Sequence, residues 1–289
     1  MDIVNNKHRL KIKIQLQKSK LDRNIALSVV TSLVLSCLVV LSLMSSPILG
    51  LFFLDFIITA ALLEIICRLH ERNYFLSVIP FLFGNQAILW LTWLYGIFGL
   101  LSSYVITVIV CMIWSFITHN TNLVLSSYLH NISVTILVIT WIPVFSSFIA
   151  LLLLSEQGNI CVFISITTVV FADTGGYITG MIIGKHLIAP KISPKKSWEG
   201  FVGSLIFGTS VSVLLIIFFM EKPVWISLVI SFSVVIIAFF GDLFESQIKR
   251  SLCIKDIGKS LPGHGGVLDR IDALLYSSVA SWFIMSFFL

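Results

Sequence analysis

Nine apolar runs, each 17–24 residues long, divide the chain: 25–43, 48–66, 75–95, 98–117, 132–154, 160–183, 201–220, 224–241 and 273–289. A run of that length crosses the roughly 30 Å hydrocarbon core of a bilayer as an α-helix. Charged residues make up only 11% of the 289 positions and hydrophobic residues 57%, whereas a soluble domain carries about 25% charge. That is too little charge to cover a water-facing surface. The composition excludes a soluble globular domain, a secreted disulfide scaffold and a disordered chain. The expected fold is an all-α polytopic integral membrane protein with about nine transmembrane helices. The stretch 75–117 is continuous and is divided by length alone, its weak point lying near Tyr95–Gly96.

Charge placement orients the chain. With the N-terminus in the cytoplasm, the inner segments are 1–24, 67–74, 118–131, 184–200 and 242–272. Together they hold 18 of the 19 Lys and Arg residues, leaving only Lys222 outside. Positive residues favour the cytoplasmic side, so the N-terminus is expected inside and the C-terminus outside. Residues 1–24 carry Lys7, Arg9, Lys11, Lys13, Lys18, Lys20 and Arg23 against Asp2 and Asp22. Such a tail before a span sets orientation and touches anionic lipid rather than nucleic acid. The 19-residue run after it is long for a cleaved signal peptide and reads as the first span. The organisation expected is a basic tail over 1–24, N-terminal helices over 25–154 and a catalytic transmembrane domain over 155–289. Cysteines 37, 67, 111, 161 and 253 are odd in number and lack CxxC spacing, which argues against disulfides or zinc.

Carboxylates at membrane depth cost roughly 2.5–3.5 kcal/mol each on insertion scales, so they mark sites by default. Asp55 reads as a packing or capping group. Glu64 precedes Arg68 by four residues, a favourable helical ion pair. Asp173 shares a face with Gly176 and Gly180 in FADTGGYITG (171–180). Small residues at that spacing let helices approach closely, and the acid on the same ridge suits a buried metal or substrate site.

The densest polar segment is GDLFESQIKRSLCIKDIGKSLPGHGGVLDRID (241–272). On a helix continuing from the run 224–241, Asp242, Glu245 or Ser246, and Lys249 lie along one face. Asp269 and Asp272 are one turn apart. Between them PGHGG (262–266) cannot be regular helix and offers backbone N–H groups to an anion. Lys249, Arg250, Lys255, Lys259 and Arg270 add positive charge, and the loop GKHLIAPKISPKKSWEG (184–200) adds Lys185, His186, Lys191, Lys195 and Lys196. Carboxylates with cations and a glycine turn suit Mg²⁺-assisted phosphate chemistry, in which oxygen ligands hold the ion and basic groups hold the polyphosphate. Neither Gly258-Lys259-Ser260 nor Gly184-Lys185-His186 has Walker A spacing. The active site is therefore expected at the cytoplasmic face.

The stretch SQIKRSLCIKDIGKSLPGHGGVLDRID (246–272), with ADTGGY (172–177), GKHLIAPKISPKKSWEG and GDLFES upstream, resembles the phosphatidate cytidylyltransferase (CDP-diacylglycerol synthase) family. Its motifs cover roughly 171–272. Ile257 and Ala273 stand where Ser is common in the family. The resemblance implies transfer of CMP from CTP to phosphatidic acid, giving CDP-diacylglycerol and pyrophosphate, with one or two Mg²⁺ ions. It implies Asp242 and Asp269 as metal ligands, Asp173 and Asp272 as supporting catalytic carboxylates, and Lys249 as a catalytic cation. Lys249, Arg250, Lys255, His264 and Arg270, with the Gly265–Gly266 backbone, would hold the CTP phosphates and the departing pyrophosphate. Ser246, Lys195 and Lys196 would also meet substrate. The family resemblance further implies a homodimer among membrane lipids, and the length suggests a bacterial inner membrane.

A CTP-dependent kinase or cytidylyltransferase acting on another membrane lipid would need the same inventory. A cation transporter would line a path with Asp55, Glu64 and Asp173. The charges gather at one face and no inverted repeat is present, which argues against transport.

Overall fold

The computed structural model describes residues 38, 41–42, 45–72, 74, 76–118, 125–258, 260 and 265–288, with backbone alone for 125–129. The basic tail 1–24, nearly all of the run 25–43, and His264 lie outside the described residues.

The first helix, α1 (Pro47–His70), starts where the chemistry of its ends directs. Ser46 Oγ accepts from Leu49 N at 3.2 Å, Pro47 sits in the first turn, and Arg68 and His70 occupy the last. The next, α2 (Val78–Thr118), has 41 residues. Unbroken, it would be about 60 Å long, twice the thickness of a hydrocarbon core. It breaks at Gly96, whose φ of 61° and ψ of −140° lie outside helical space. The two arms fold back on each other: Gly84 faces Thr107, and Gly99 lies against the Leu91 backbone. The weak point expected near Tyr95–Gly96 is the apex of this hairpin.

A nearly continuous rod follows, formed by α3 (Leu125–Ile139), a π-turn over Thr140–Val144 and α4 (Phe145–Leu153). Pro143 lies in the π-turn. Proline lacks an N–H and clashes with the preceding turn, and the wider turn absorbs both faults. Then come α5 (Gly158–Ile183), a hairpin of β1 (Leu187–Ala189) and β2 (Ser193–Ser197), α6 (Trp198–Met220), α7 (Val224–Ser251) and α8 (Leu268–Phe288). The antiparallel hairpin pairs Leu187 with Ser197 and Ala189 with Ser193. Among the described residues it is the one departure from an all-helical chain.

The closest helix pair is α5 with α6, and small residues explain it. Gly176 faces Ser204, Gly175 faces Phe207, Gly203 faces Thr179 and Gly208 faces Ala172, each leaving no room for a further methyl group. This is the close packing expected of the ridge behind Asp173. On α7, Gly241 makes room for the Tyr276 ring of α8. Ser278 Oγ of α8 donates to the Phe145 carbonyl of α4 at 2.7 Å.

One apolar core gathers α1, α2, the α3–α4 rod and α8 around Ile58, Leu62, Ile88, Ile142 and Leu275. A second joins α4 to α5, α6, α7 and α8 around Ile164, Ile216, Ile230 and Val234. Outside, Phe98, Phe218 and Phe287 stand exposed, as lipid-facing side chains do. Seven described helices are long and apolar enough to cross a membrane. One of them is the α2 hairpin, so the described residues hold eight apolar arms.

Candidate active site

The site is built where α7 meets α8. Asp242, Glu245 and Lys249 follow one another at i, i+3 and i+7 on α7, a single face of the helix. Asp272 meets them from α8. Ligand oxygens of Asp242, Glu245 and Asp272 all lie within 4.8 Å of one another. Glu245 is 1% exposed and Asp272 8% exposed, and their carboxylates are in hydrogen-bonding reach of each other. Two buried carboxylates that close need a cation or a shared proton between them.

Neighbouring cations are already committed. Lys249 Nζ lies 2.9 Å from Glu245 Oε1 and 2.8 Å from Asp269 Oδ1. Lys196 Nζ lies 2.6 Å from Asp242 Oδ2. Asp173, on α5, is near enough to Asp242, Asp272 and Lys196 to feel their charges. Three carboxylates supplying only oxygen donors fit a hard divalent cation, so this group can hold a metal.

The segment 184–200 is an ordered strap rather than a plain loop. Glu199 accepts from Lys185 N at 3.1 Å, and its other oxygen lies 2.7 Å from His186 Nδ1. Trp198 N donates to the His186 carbonyl at 2.9 Å. Ser197 Oγ caps α6 by accepting from Gly200 N at 3.1 Å, the helix start expected at Ser197-Trp198-Glu199. The hairpin is fastened to α7 twice, by Lys196 on Asp242 and by Arg250 Nε donating to the Ile192 carbonyl at 3.0 Å.

The segment 242–272 is helical at both ends, because α7 runs ten residues past its apolar run and α8 begins at Leu268. Only 252–267 connects them. Asp269 gathers the base of this connection, accepting from Gly266 N at 2.8 Å and Ile257 N at 3.1 Å. Gly265 has a φ of 88°, a conformation open to glycine. Glu64 of α1 accepts from Leu268 N at 3.1 Å.

Asp173, Lys196, Asp242, Lys249, Asp269 and Asp272 thus come together in the structure. Ser246 is half-buried beside them on α7, while Lys195, Arg250, Lys255 and Arg270 are exposed around the site. Two placements differ from expectation. Asp269, expected beside Asp242 as a metal ligand, has its oxygens turned to Lys249 and to two backbone N–H groups, and Glu245 stands in the carboxylate group instead. Its i+3 spacing from Asp242 was the available signal. Arg68 does not pair with Glu64. It lies 2.8 Å from Glu71 and donates to the Ile257 carbonyl. Asp55 accepts from Gln86 Nε2 at 2.8 Å, tying α1 to α2 as a packing group would.

The sequence profile of the cytidylyltransferase family matches residues 27–288. The chain is 39% identical over 275 residues to a protein of Mycobacterium leprae named phosphatidate cytidylyltransferase, covering 91% of this chain and 88% of the relative. A Mycobacterium bovis protein of the same name is 43% identical over 231 residues, 77% of this chain and 76% of the relative. One from Staphylococcus saprophyticus is 40% identical over 122 residues, 42% of this chain and 47% of the relative.

Proposed function

The chain belongs to the cytidylyltransferase family, and we propose that it transfers CMP from CTP to phosphatidic acid, releasing pyrophosphate and leaving CDP-diacylglycerol in the membrane. The observation that carries this reading is the close group of Asp242, Glu245 and Asp272, the last two buried, with Lys196 and Lys249 paired to it. The names of the mycobacterial relatives supply the substrates.

A phosphate oxygen of the lipid forms the new bond to the α-phosphorus of CTP, and the bond from that phosphorus to the β-phosphate bridging oxygen breaks. The lipid phosphate is already ionised, so the protein needs no strong base. Its task is to hold two polyanions in line and neutralise charge. We place Mg²⁺ among Asp242, Glu245 and Asp272, with Asp173 in support. An ion held by these residues would supply charge neutralisation for the phosphate oxygens and the departing pyrophosphate. Lys249 bridges Glu245 and Asp269 and so ties α7 to α8 at the site. Lys195, Lys196, Lys255 and Arg270 receive the phosphates from the strap and the loop, with the Gly265–Gly266 backbone beneath them. The site lies at the cytoplasmic face of a bacterial inner membrane, where CTP is available, and the protein works as a homodimer.

The test is CTP-dependent conversion of phosphatidic acid by the purified protein in detergent, with Mg²⁺ and with EDTA. Lipid-linked CMP together with pyrophosphate, lost in EDTA, is the expected result. CDP and a phosphorylated lipid would replace this reading with a lipid kinase. Absence of CTP turnover by folded protein would overturn it.

A further inference from the structure

Helix α1, far from the site in sequence, meets the backbone beside it. Glu64 and Arg68 lie at i and i+4 on one face of the last turns of α1, and Arg72 stands in the turn just past its end. Each meets backbone between the end of α7 and the first residue of α8. Glu64 Oε2 accepts from Leu268 N at 3.1 Å, Arg68 Nε donates to the Ile257 carbonyl, and Arg72 Nη2 donates to the Cys253 carbonyl at 3.3 Å. Glu71 holds the Arg68 guanidinium at 2.8 Å and so fixes its direction.

The contacts at Glu64 are the tightest. A Cβ on Gly258 would overlap the Glu64 carboxylate, and one on Gly266 would lie 2.5 Å from Glu64 Oε2 and 2.6 Å from Gly258 N. The two glycines close the base of the loop against each other, with the carboxylate wedged beside them. Glu64 Oε1 is buried and finds no hydrogen-bond partner among the described residues. The same short base supplies the N–H groups of Ile257 and Gly266 to Asp269. A negative charge beside the first N–H groups of α8 also interacts favourably with the helix dipole.

We propose that Glu64, backed by Arg68 and Arg72, is a positioning residue for the transfer reaction. It sets the loop base and the first turn of α8, and through them the places of Asp269 and Asp272. The inference rests on the reaction proposed above and adds a role for α1 that no motif around the site discloses. Glu64 touches backbone, not substrate, so its effect must run through geometry. A displacement of about 1 Å at reacting groups can cost on the order of a hundredfold in rate.

The test compares wild type with Glu64→Ala, Glu64→Gln and Arg68→Ala, full chain, in detergent. Two readouts are taken: steady-state kinetics with CTP and phosphatidic acid, and hydrogen–deuterium exchange over 254–270. Glu64→Ala is expected to speed exchange there about tenfold or more and to lower kcat roughly thirtyfold, while the KM for phosphatidic acid stays within about twofold. Glu64→Gln, which keeps an acceptor for Leu268 N, is expected to recover most of the rate. Unchanged exchange in Glu64→Ala would overturn the clamp whatever the activity. Faster exchange with unchanged kcat would overturn the positioning role. Loss spread evenly over kcat, both KM values and folded protein, without rescue by Gln, would reduce Glu64 to a stability residue and overturn it too. A wild type that moves no CMP overturns the reaction reading and the positioning role with it, while the exchange data still report the clamp.

Discussion

Lys249 on α7 lies 2.8 Å from Asp269 on α8, and this ion pair joins the carboxylate-bearing face of one helix to the loop-holding carboxylate of the other. The same ammonium lies 2.9 Å from Glu245, which is 1% exposed. Removing it leaves two carboxylates facing each other with no counter-charge. Breaking a buried pair from one side costs about 3–5 kcal/mol. Lys249→Met is expected to lower the thermal unfolding temperature in detergent markedly and to abolish transfer. Lys249→Arg should retain the fold, since it retains the charge.

The carboxylates separate by role. Asp242→Asn and Asp272→Asn are expected to raise the Mg²⁺ concentration for half-maximal turnover roughly tenfold or more. Asp269→Asn is expected to lower turnover while leaving the Mg²⁺ requirement within about twofold, because its oxygens face Lys249, Ile257 N and Gly266 N. Mg²⁺ titrations of the three variants check this. A shift confined to Asp269→Asn would return the ligand role to Asp269.

Metal removal gives a direct readout. Excess EDTA should stop CTP consumption, and added Mg²⁺ should restore it, as a site of three oxygen donors requires. Zn²⁺ should restore it poorly, because among the described residues no Cys or His joins the group.

Gly266→Ala introduces a methyl group that meets Glu64 and the Gly258 backbone. The Gly258 backbone cannot swing aside, and the Glu64 carboxylate is held by Leu268 N. Overpacking of this kind costs about 1–3 kcal/mol, and here it falls on the loop base. Expected is a fold that persists, seen by circular dichroism, with transfer reduced at least as far as in Glu64→Ala.

Two glycines of the α2 hairpin should differ in kind. Gly96→Ala meets nothing within 4 Å, so only its φ of 61° is penalised, at about 1–3 kcal/mol. Gly99→Ala would drive a methyl group into the Leu91 carbonyl and force the arms apart. Thermal unfolding should rank Gly99→Ala as the more damaging. The reverse order would mean that the apex conformation, not close approach, holds the hairpin.

What a short window of sequence contains was legible in it. Hydropathy marks each apolar arm, because a bilayer demands a continuous apolar helix of fixed length. The break at Gly96 was visible for the same reason, a stretch too long to cross once. Ser197 announced the start of α6 through its own side chain, and the spacing of Asp242 and Lys249, or of Asp269 and Asp272, placed each pair on one helical face. These are consequences of helix geometry within a turn or two. What lay beyond it was partnership between distant segments. Glu64 and Arg68 are four residues apart, and their spacing alone suggests that they pair. They instead find Leu268 and Ile257, 204 and 189 residues away along the chain. Asp269 likewise turns to Lys249 and the loop once the loop folds back over it, leaving Glu245 beside Asp242 and Asp272. The hairpin over 187–197 forms because Arg250 and Asp242 of α7 hold it in place, and no periodicity in 184–200 encodes that. Local sequence determined where helices begin, break and face. The packing of α1, α7 and α8 decided which charges meet, because a buried charge takes the partner that tertiary contact brings within reach.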